Sequence, residues 1–293
     1  MSATATHPSG SQAQLSDATA LGAVDLRVTD LDRAIRFYTE VIGLTVRNRS
    51  GNDAALGAGG EDLVLLHEER SAAPAGHHAG LYHFALLFPT REELARAGRR
   101  IAELRVPIDG ASDHGTHEAI YLPDPDGIGI ELAADRPRED WPMRDGRVAF
   151  AGGGPHPLDV AGLFATISGE EASPRADPGL RMGHVHLHVG DLDASTRFYR
   201  DGLGFEVMAD MNSAVFVSTA RYHHHVGFNL WRGAGAAPTP TDVVGLRHWT
   251  LETADAAERD AVAVRLEAIG APFSERDGAI LAQDPAGISV LVR

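Results

Sequence analysis

Leu21-Gly-Ala-Val-Asp-Leu-Arg-Val-Thr-Asp-Leu-Asp32 returns later in the chain as Met182-Gly-His-Val-His-Leu-His-Val-Gly-Asp-Leu-Asp193. Gly22, Val24, Leu26, Val28, Asp30, Leu31 and Asp32 recur as Gly183, Val185, Leu187, Val189, Asp191, Leu192 and Asp193. The match runs on through Arg36-Phe-Tyr38 and Arg197-Phe-Tyr199 to Gly43 and Gly204. A second pair of segments also matches. Gly80-Leu-Tyr-His83 answers Gly245-Leu-Arg-His248, Pro107 answers Pro272, and Asp124-Pro-Asp-Gly-Ile128 answers Asp284-Pro-Ala-Gly-Ile288. Self-similarity of this kind marks a repeated supersecondary unit. The chain reads as four units, beginning near residues 21, 80, 182 and 245.

Each unit has one grammar. Val24, Leu26 and Val28 alternate with polar positions, the period of a strand with one buried face. Asp30 is placed to cap a helix whose apolar stripe is Leu31, Ile35, Tyr38 and Ile42, and Gly43 ends it. The second unit's helix carries Leu94, Ala97, Ile101 and Leu104 at comparable spacing. Short strands, such as 63–67 and 129–133, complete a unit. The expected fold class is α+β, with four βαβββ modules. One module cannot bury both faces of its sheet, so modules must pair, giving two half-open barrels. Residues 1–19 read as a disordered tail, 20–135 as modules one and two, and 182–293 as modules three and four. Residues 136–181, rich in Pro, Gly and charge, read as a structured connector holding Trp141 and one helix within 158–167.

Composition bounds the function. Forty-one acidic residues against 26 Lys and Arg give a formal charge of −15 over 293 residues. Such a chain lacks the basic surface that nucleic acids and anionic membranes need. No apolar run approaches a membrane span, and the N-terminus lacks the charged start and apolar centre of a secretory signal. Cytoplasmic residence is the default expectation, and homo-oligomerisation is left open. There is no cysteine but there are 15 histidines. Metal chemistry here must use imidazole and carboxylate.

The modules, with Asp-Leu-Asp and Phe-Tyr after the first strand and Asp-Pro-Asp-Gly before the last, resemble the vicinal oxygen chelate superfamily of glyoxalases, bleomycin-resistance proteins and extradiol dioxygenases. The chain is most similar to its catechol-2,3-dioxygenase branch. The marks are Gly80-Leu-Tyr-His-Phe-Ala-Leu86, Glu118 to Gly127 with Glu131 and Asp135-Arg-Pro137, Gly183-His-Val-His-Leu-His-Val189, and Tyr222-His-His-His225 with Asn229-Leu-Trp231. They extend the resemblance over about residues 20 to 293.

The resemblance implies metal ligands at one position of a module's first strand and one of its last. The first-strand positions are Ala23, His83, His184 and His248. The last-strand position is Glu131 in module two and Leu291 in module four. A mononuclear Fe(II) site needs two histidines and one carboxylate with positions left open. Modules one and two lack a histidine, and modules three and four lack the carboxylate. His83, Glu131 and His184 complete the set only if module two pairs with module three. His248 is then stranded in the other pair.

His184, His186 and His188 share one face of their strand, which would place His186 beside substrate. The resemblance puts the acid–base histidine at His224. A slip of one residue would move that role to His223 or His225, and His225 is kept as a substrate-binding candidate. Histidine suits proton transfer near neutral pH. His114 and Tyr121 resemble the His and Tyr that precede the ligand glutamate and contact substrate oxygen. The resemblance thus implies extradiol opening of a small aromatic diol by O2 at Fe(II), with Mn(II) acceptable to the same ligands. A metal-dependent isomerase or lyase of the same fold and a non-catalytic protein that sequesters an aromatic drug are the rivals.

Overall fold

The structure, a computed structural model, describes residues 14–144, 147–149, 155–171 and 173–293. The first module comprises β1 (Ala20–Val28), α1 (Leu31–Phe37), β2 (Thr45–Ser50), β3 (Asp53–Gly57) and β4 (Val64–Glu68). The second comprises β5 (Gly80–Phe88), α2 (Arg91–Glu103), β6 (Gly110–Asp113), β7 (His117–Pro123) and β8 (Gly129–Asp135). The connector holds β9 (Met143–Arg144), β10 (Arg147–Val148), β11 (His156–Pro157) and α3 (Val160–Ala165). The third module is β12 (Arg181–His188), α4 (Leu192–Thr196), β13 (Glu206–Met211), β14 (Ala214–Ser218) and β15 (Val226–Asn229). The fourth is β16 (Gly245–Glu252), α5 (Ala256–Ile269), β17 (Phe273–Arg276), β18 (Ala279–Gln283) and β19 (Ser289–Val292).

These strands form two large open sheets. One runs β17-β18-β19-β16-β1-β4-β3-β2, and the other runs β11-β6-β7-β8-β5-β12-β15-β14-β13. Module two therefore pairs with module three through antiparallel β5 and β12. Module one pairs with module four through antiparallel β1 and β16. The pairing that the ligand count requires is the one observed. The two sheets meet at their middle strands, β1 against β12 and β16 against β5. Neither sheet closes, so the architecture is α+β with two half-open barrels.

Asp30, Thr90, Asp191 and Asp255 cap α1, α2, α4 and α5, each accepting from a backbone N–H three residues on. After α1 and α4 the helix widens into one π turn, Tyr38–Ile42 and Arg197–Leu203, closed by Gly43 at φ 88° and Gly204 at φ 101°. These left-handed positions suit glycine. A Cβ there would also strike the guanidinium of Arg100 or Arg265. Arg100, from α2, donates to the carbonyls of Val41 and Ile42. Arg265, from α5, does the same for Gly202 and Leu203. Each even-numbered module thus closes the helix end of the module before it.

Two expectations need correction. Leu104 does not join the buried stripe of α2; it sits at the C-cap and is exposed. Of the expected tail, residues 1–13 lie outside the described residues, but the part from residue 14 on is packed. Leu15 is buried, its N–H donates to Gly204 O at 3.0 Å, and Thr219 Oγ1 donates to its carbonyl. Thr19 Oγ1 donates to Glu258 at 2.9 Å. The connector adds β11 to the edge of the nine-stranded sheet and lays α3 against α2. No helix among the described residues is long and apolar enough to cross a membrane.

Candidate metal centre and active site

The middle of the nine-stranded sheet concentrates histidine. His83 and His186 are register partners across β5 and β12. Ala85 faces His184 on one side and Glu131 of β8 on the other. His83, Glu131 and His184 are all buried, and one ligand atom of each lies within 4.8 Å of the others. The Nε2 atoms of His83 and His184 stand 3.0 and 3.1 Å from the same oxygen, Glu131 Oε2. Among the described residues, neither His83 Nε2 nor Glu131 Oε1 makes a hydrogen bond, although His83 Nε2 stands 3.0 Å from Oε2 and His117 Nε2 stands 3.1 Å from Oε1. Leaving such atoms unsatisfied costs about 1–3 kcal/mol each. Two imidazole nitrogens and a carboxylate converging on one point, with orphaned atoms among them, fit a divalent cation.

Electrostatics favours the same reading. Burial pushes the Glu131 carboxyl up, but the imidazoles of His184, His117 and His83 outweigh it and hold the group well below the ordinary carboxylate range. Burial, only partly offset by Glu131, lowers His184. The set is therefore an anionic oxygen beside an imidazole biased to neutrality, the forms that bind metal.

A cavity of about 840 Å³ opens over this centre. His184, His186 and His188 all border it, so their shared strand face is the cavity face. Asn229 orders the outer two: His188 Nδ1 donates to its Oδ1 at 2.8 Å, and its amide nitrogen donates to His186 Nε2 at 2.9 Å. Tyr121 pairs with Glu131 across β7 and β8. Its hydroxyl is 2.7 Å from His114 Nε2, and both side chains border the cavity. Burial lowers His114 to about 4 and raises Tyr121 far above a free phenol, so both stay neutral.

Of the histidine run, only His224 borders the cavity, with its ring centroid 4.0 Å from that of His184 and 5.0 Å from Phe216. His225 does not reach it. Its Nδ1 takes the hydroxyl of Ser218 at 2.7 Å, and its ring lies near Phe205, so the substrate-binding expectation for His225 is withdrawn. His223 also turns away from the cavity, toward Asp135. The run precedes β15 and bends at His223 and His225, and of its three histidines the middle one faces in. His248 lies in the other sheet beside Asp25, 3.6 Å away, while Arg247 bonds both oxygens of that aspartate at 3.0 Å.

Three features escaped the sequence reading. His117 Nε2 is 3.1 Å from Glu131 Oε1. Tyr82 packs edge-on against Trp231 and His186 at the cavity mouth. Asp135 anchors the histidine run. The signal for two of them was present: counting by twos back from Tyr121 along β7 puts His117 on the glutamate's face, and counting on from Glu131 along β8 puts Asp135 there.

Residues 20–132 match the Glyoxalase/Bleomycin resistance protein/Dioxygenase superfamily, and residues 181–220 match a Bleomycin resistance protein-like N-terminal family. The chain is 38% identical over 273 residues to the Catechol-2,3-dioxygenase of Bacillus subtilis, covering 91% of this chain and 94% of that one. Its fold is similar to a putative dioxygenase of Bacillus subtilis at TM-score 0.64 and 13% identity, over 95% of this chain and 84% of that chain. It is also similar to glyoxalase I of Zea mays at TM-score 0.59 and 20% identity, over 94% and 92%. Such relatives imply a divalent metal, which the triad fits. The chain belongs to the glyoxalase/bleomycin resistance/dioxygenase superfamily and is an enzyme of its catechol-2,3-dioxygenase-like branch.

Proposed function

We propose that this enzyme opens the ring of a catechol-type substrate with O2, beside the diol, at a mononuclear Fe(II) held by His83, Glu131 and His184. The observation that carries the reading is the triad itself, a two-histidine, one-carboxylate set with orphaned atoms facing a cavity. Iron bound there would supply the one-electron chemistry that lets O2 react with a closed-shell ring.

The side chains supply the rest. His224, a neutral imidazole at the cavity wall, takes the proton of a diol hydroxyl and later returns it. Burial and the neighbouring imidazoles of His184 and His223 keep it well below the ordinary histidine value, so it is unprotonated when substrate arrives. Tyr121, bonded to His114, holds a hydroxyl at the substrate oxygen. His117 confines the second carboxylate oxygen of Glu131. His186, Tyr82 and Trp231 line the ring's side of the cavity. The overall reaction adds both oxygen atoms to the diol and needs no external reductant. The product is a hydroxymuconate semialdehyde, which places the enzyme in aromatic catabolism.

The test is anaerobic loading with Fe(II) followed by oxygen uptake with a panel of catechols. The expected result is one O2 consumed per yellow ring-opened product. Metal-loaded protein that consumes no oxygen with any diol would remove the dioxygenase reading in favour of an isomerase or lyase.

A further inference from the structure

Behind His224 lies a chain of hydrogen bonds that leads away from the metal centre. His224 Nδ1 is 2.8 Å from His223 Nδ1, and His223 Nε2 is 3.1 Å from Asp135 Oδ1. Tyr222 donates its hydroxyl to both oxygens of the same carboxylate, at 3.1 and 3.0 Å. Asp135 is thus an acceptor toward Tyr222, and a carboxylate has only lone pairs to offer. His223 must donate to it from Nε2. A neutral imidazole carries one proton, so His223 Nδ1 is bare and can only accept. His224 must then donate from Nδ1, which leaves its Nε2 as a bare lone pair. His224 borders the cavity, and among the described residues its hydrogen bond is made through Nδ1, not Nε2.

The surroundings fix the middle of this chain. The His223 ring stacks on His117 at 4.6 Å and 17°, and is flanked by Tyr222 at 4.0 Å and Trp141 at 5.1 Å. The turn that delivers it, Ala220 and Arg221, has two consecutive left-handed residues at φ 53° and 52°. Both of its carbonyls accept from Arg138 of the connector. A buried filler needs neither this strained turn nor partners on both ring nitrogens. An imidazole held in one orientation by a third group is how other enzymes fix a base's tautomer.

We propose that His223 and Asp135 are positioning residues, which hold His224 with its proton on Nδ1 and so present Nε2 to the cavity as the proton acceptor. The proposal rests on His224 being the proton-transfer group of the reaction above. An unconstrained histidine favours the proton on Nε2, so without His223 the base would face substrate the wrong way round.

The test has two readouts. Nitrogen-15 ring spectra of the metal-free full-length chain report the tautomer directly. The expected result is Nδ1–H for His224 and Nε2–H for His223, with His224 reverting to Nε2–H in His223→Phe. Parent protein showing Nε2–H at His224 overturns the proposal without any variant or turnover. The second readout is kinetic, in the iron-loaded enzyme. His223→Phe should lower kcat roughly ten- to a hundredfold with KM and iron content unchanged. His223→Asn, whose amide oxygen falls near the lost Nδ1, should regain part of the loss. In a His224→Ala background, His223→Phe should cost nothing further. Losses that multiply in the double variant would make His223 a structural residue only. If the parent turns over no catechol, the functional reading fails while the spectra still decide the tautomer.

Discussion

Tyr199 of the third module donates a 2.8 Å hydrogen bond to Asp284 of the fourth, joining the two sheets through fully buried groups. Tyr38 of the first module and Asp124 of the second repeat the bond at 3.2 Å. The Phe-Tyr and Asp-Pro-x-Gly motifs of the repeat are therefore two ends of one lock. Asp284 Oδ1 accepts from the N–H groups of Ala286 and Ile288, which shapes the turn, and Oδ2 accepts from the tyrosine.

That lock gives the fold a pH dependence. Burial pushes Asp284 up from 3.8 to about 6, against the hydrogen bonds that pull it down. Because the folded value is the higher one, the unfolded chain gives up this proton first as pH rises. The stabilisation is fully present below about pH 4, is lost as pH rises toward 6, and is flat above that. The expected span is roughly 3 kcal/mol for a shift of this size. Urea unfolding of the parent and Asp284→Asn at pH 4.5 and 7.5 measures it. The variant should gain on the parent at the higher pH, and parallel profiles would show that Asp284 does not hold its proton.

Arg265 should be a stability residue with no part in metal binding. It is buried, burial lowers its affinity for its proton, and it donates to the carbonyls of Gly202 and Leu203 at 3.3 and 2.7 Å. Arg265→Met should cost about 2–4 kcal/mol, since two buried carbonyls lose charge-assisted bonds. Denaturant unfolding reads the loss, and metal content per folded chain should not change.

The module count was legible because it rests on short-range periodicity, and the clustering of His83, Glu131 and His184 was expected from the family resemblance. Val24, Leu26 and Val28 repeat as Val185, Leu187 and Val189, and all six are buried. His83 and His184 lie on the first strands of their modules and Glu131 on the last strand of module two. Arg100 and Arg265 were not legible, because a guanidinium that seats on another module's helix end is fixed by tertiary geometry. For the same reason the run Tyr222 to His225 did not reveal which histidine faces in. Its direction is set by the Ala220–Arg221 turn and by Arg138, some eighty residues earlier. His225 was misread on that account.

Trp231 should govern substrate affinity and leave the chemistry alone. It is 54% exposed at the mouth, with its ring 5.3 Å and edge-on to Tyr82 and 5.3 Å from His186. Removing an aromatic contact of this kind costs about 1 kcal/mol beyond area. Trp231→Ala should raise KM for ring-substituted catechols roughly five- to tenfold with kcat nearly constant. A fall in kcat at unchanged KM would place Trp231 in the reaction itself.

His224→Ala should keep the metal and lose turnover. General acid–base groups contribute roughly two to four orders of magnitude, and His224 is the one member of the run that borders the cavity. Iron analysis and oxygen uptake on the same sample check both halves. Equal turnover in variant and parent would remove His224 from the mechanism, and with His225 bonded to Ser218, a matching loss in His225→Ala is not expected.

The last prediction separates the two sheets. Their central strand pairs are equivalent in the repeat, and each offers the family's ligand positions, but the residues differ. The nine-stranded sheet holds His83, Glu131 and His184. The eight-stranded sheet holds Ala23, His248 and Leu291, with Asp25 already taken by Arg247 at 3.0 Å from both oxygens. A lone imidazole beside a neutralised carboxylate gives a metal no adequate donor set. Glu131→Ala should therefore abolish iron binding and activity together, because two histidines without the carboxylate leave the site uncharged. His248→Ala should keep both, with a stability loss of no more than about 1–2 kcal/mol from its half-buried contact. Elemental analysis after Fe(II) loading, read beside oxygen uptake, decides the matter. Iron retained in Glu131→Ala and lost in His248→Ala would move the metal to the eight-stranded sheet and overturn the assignment of the triad.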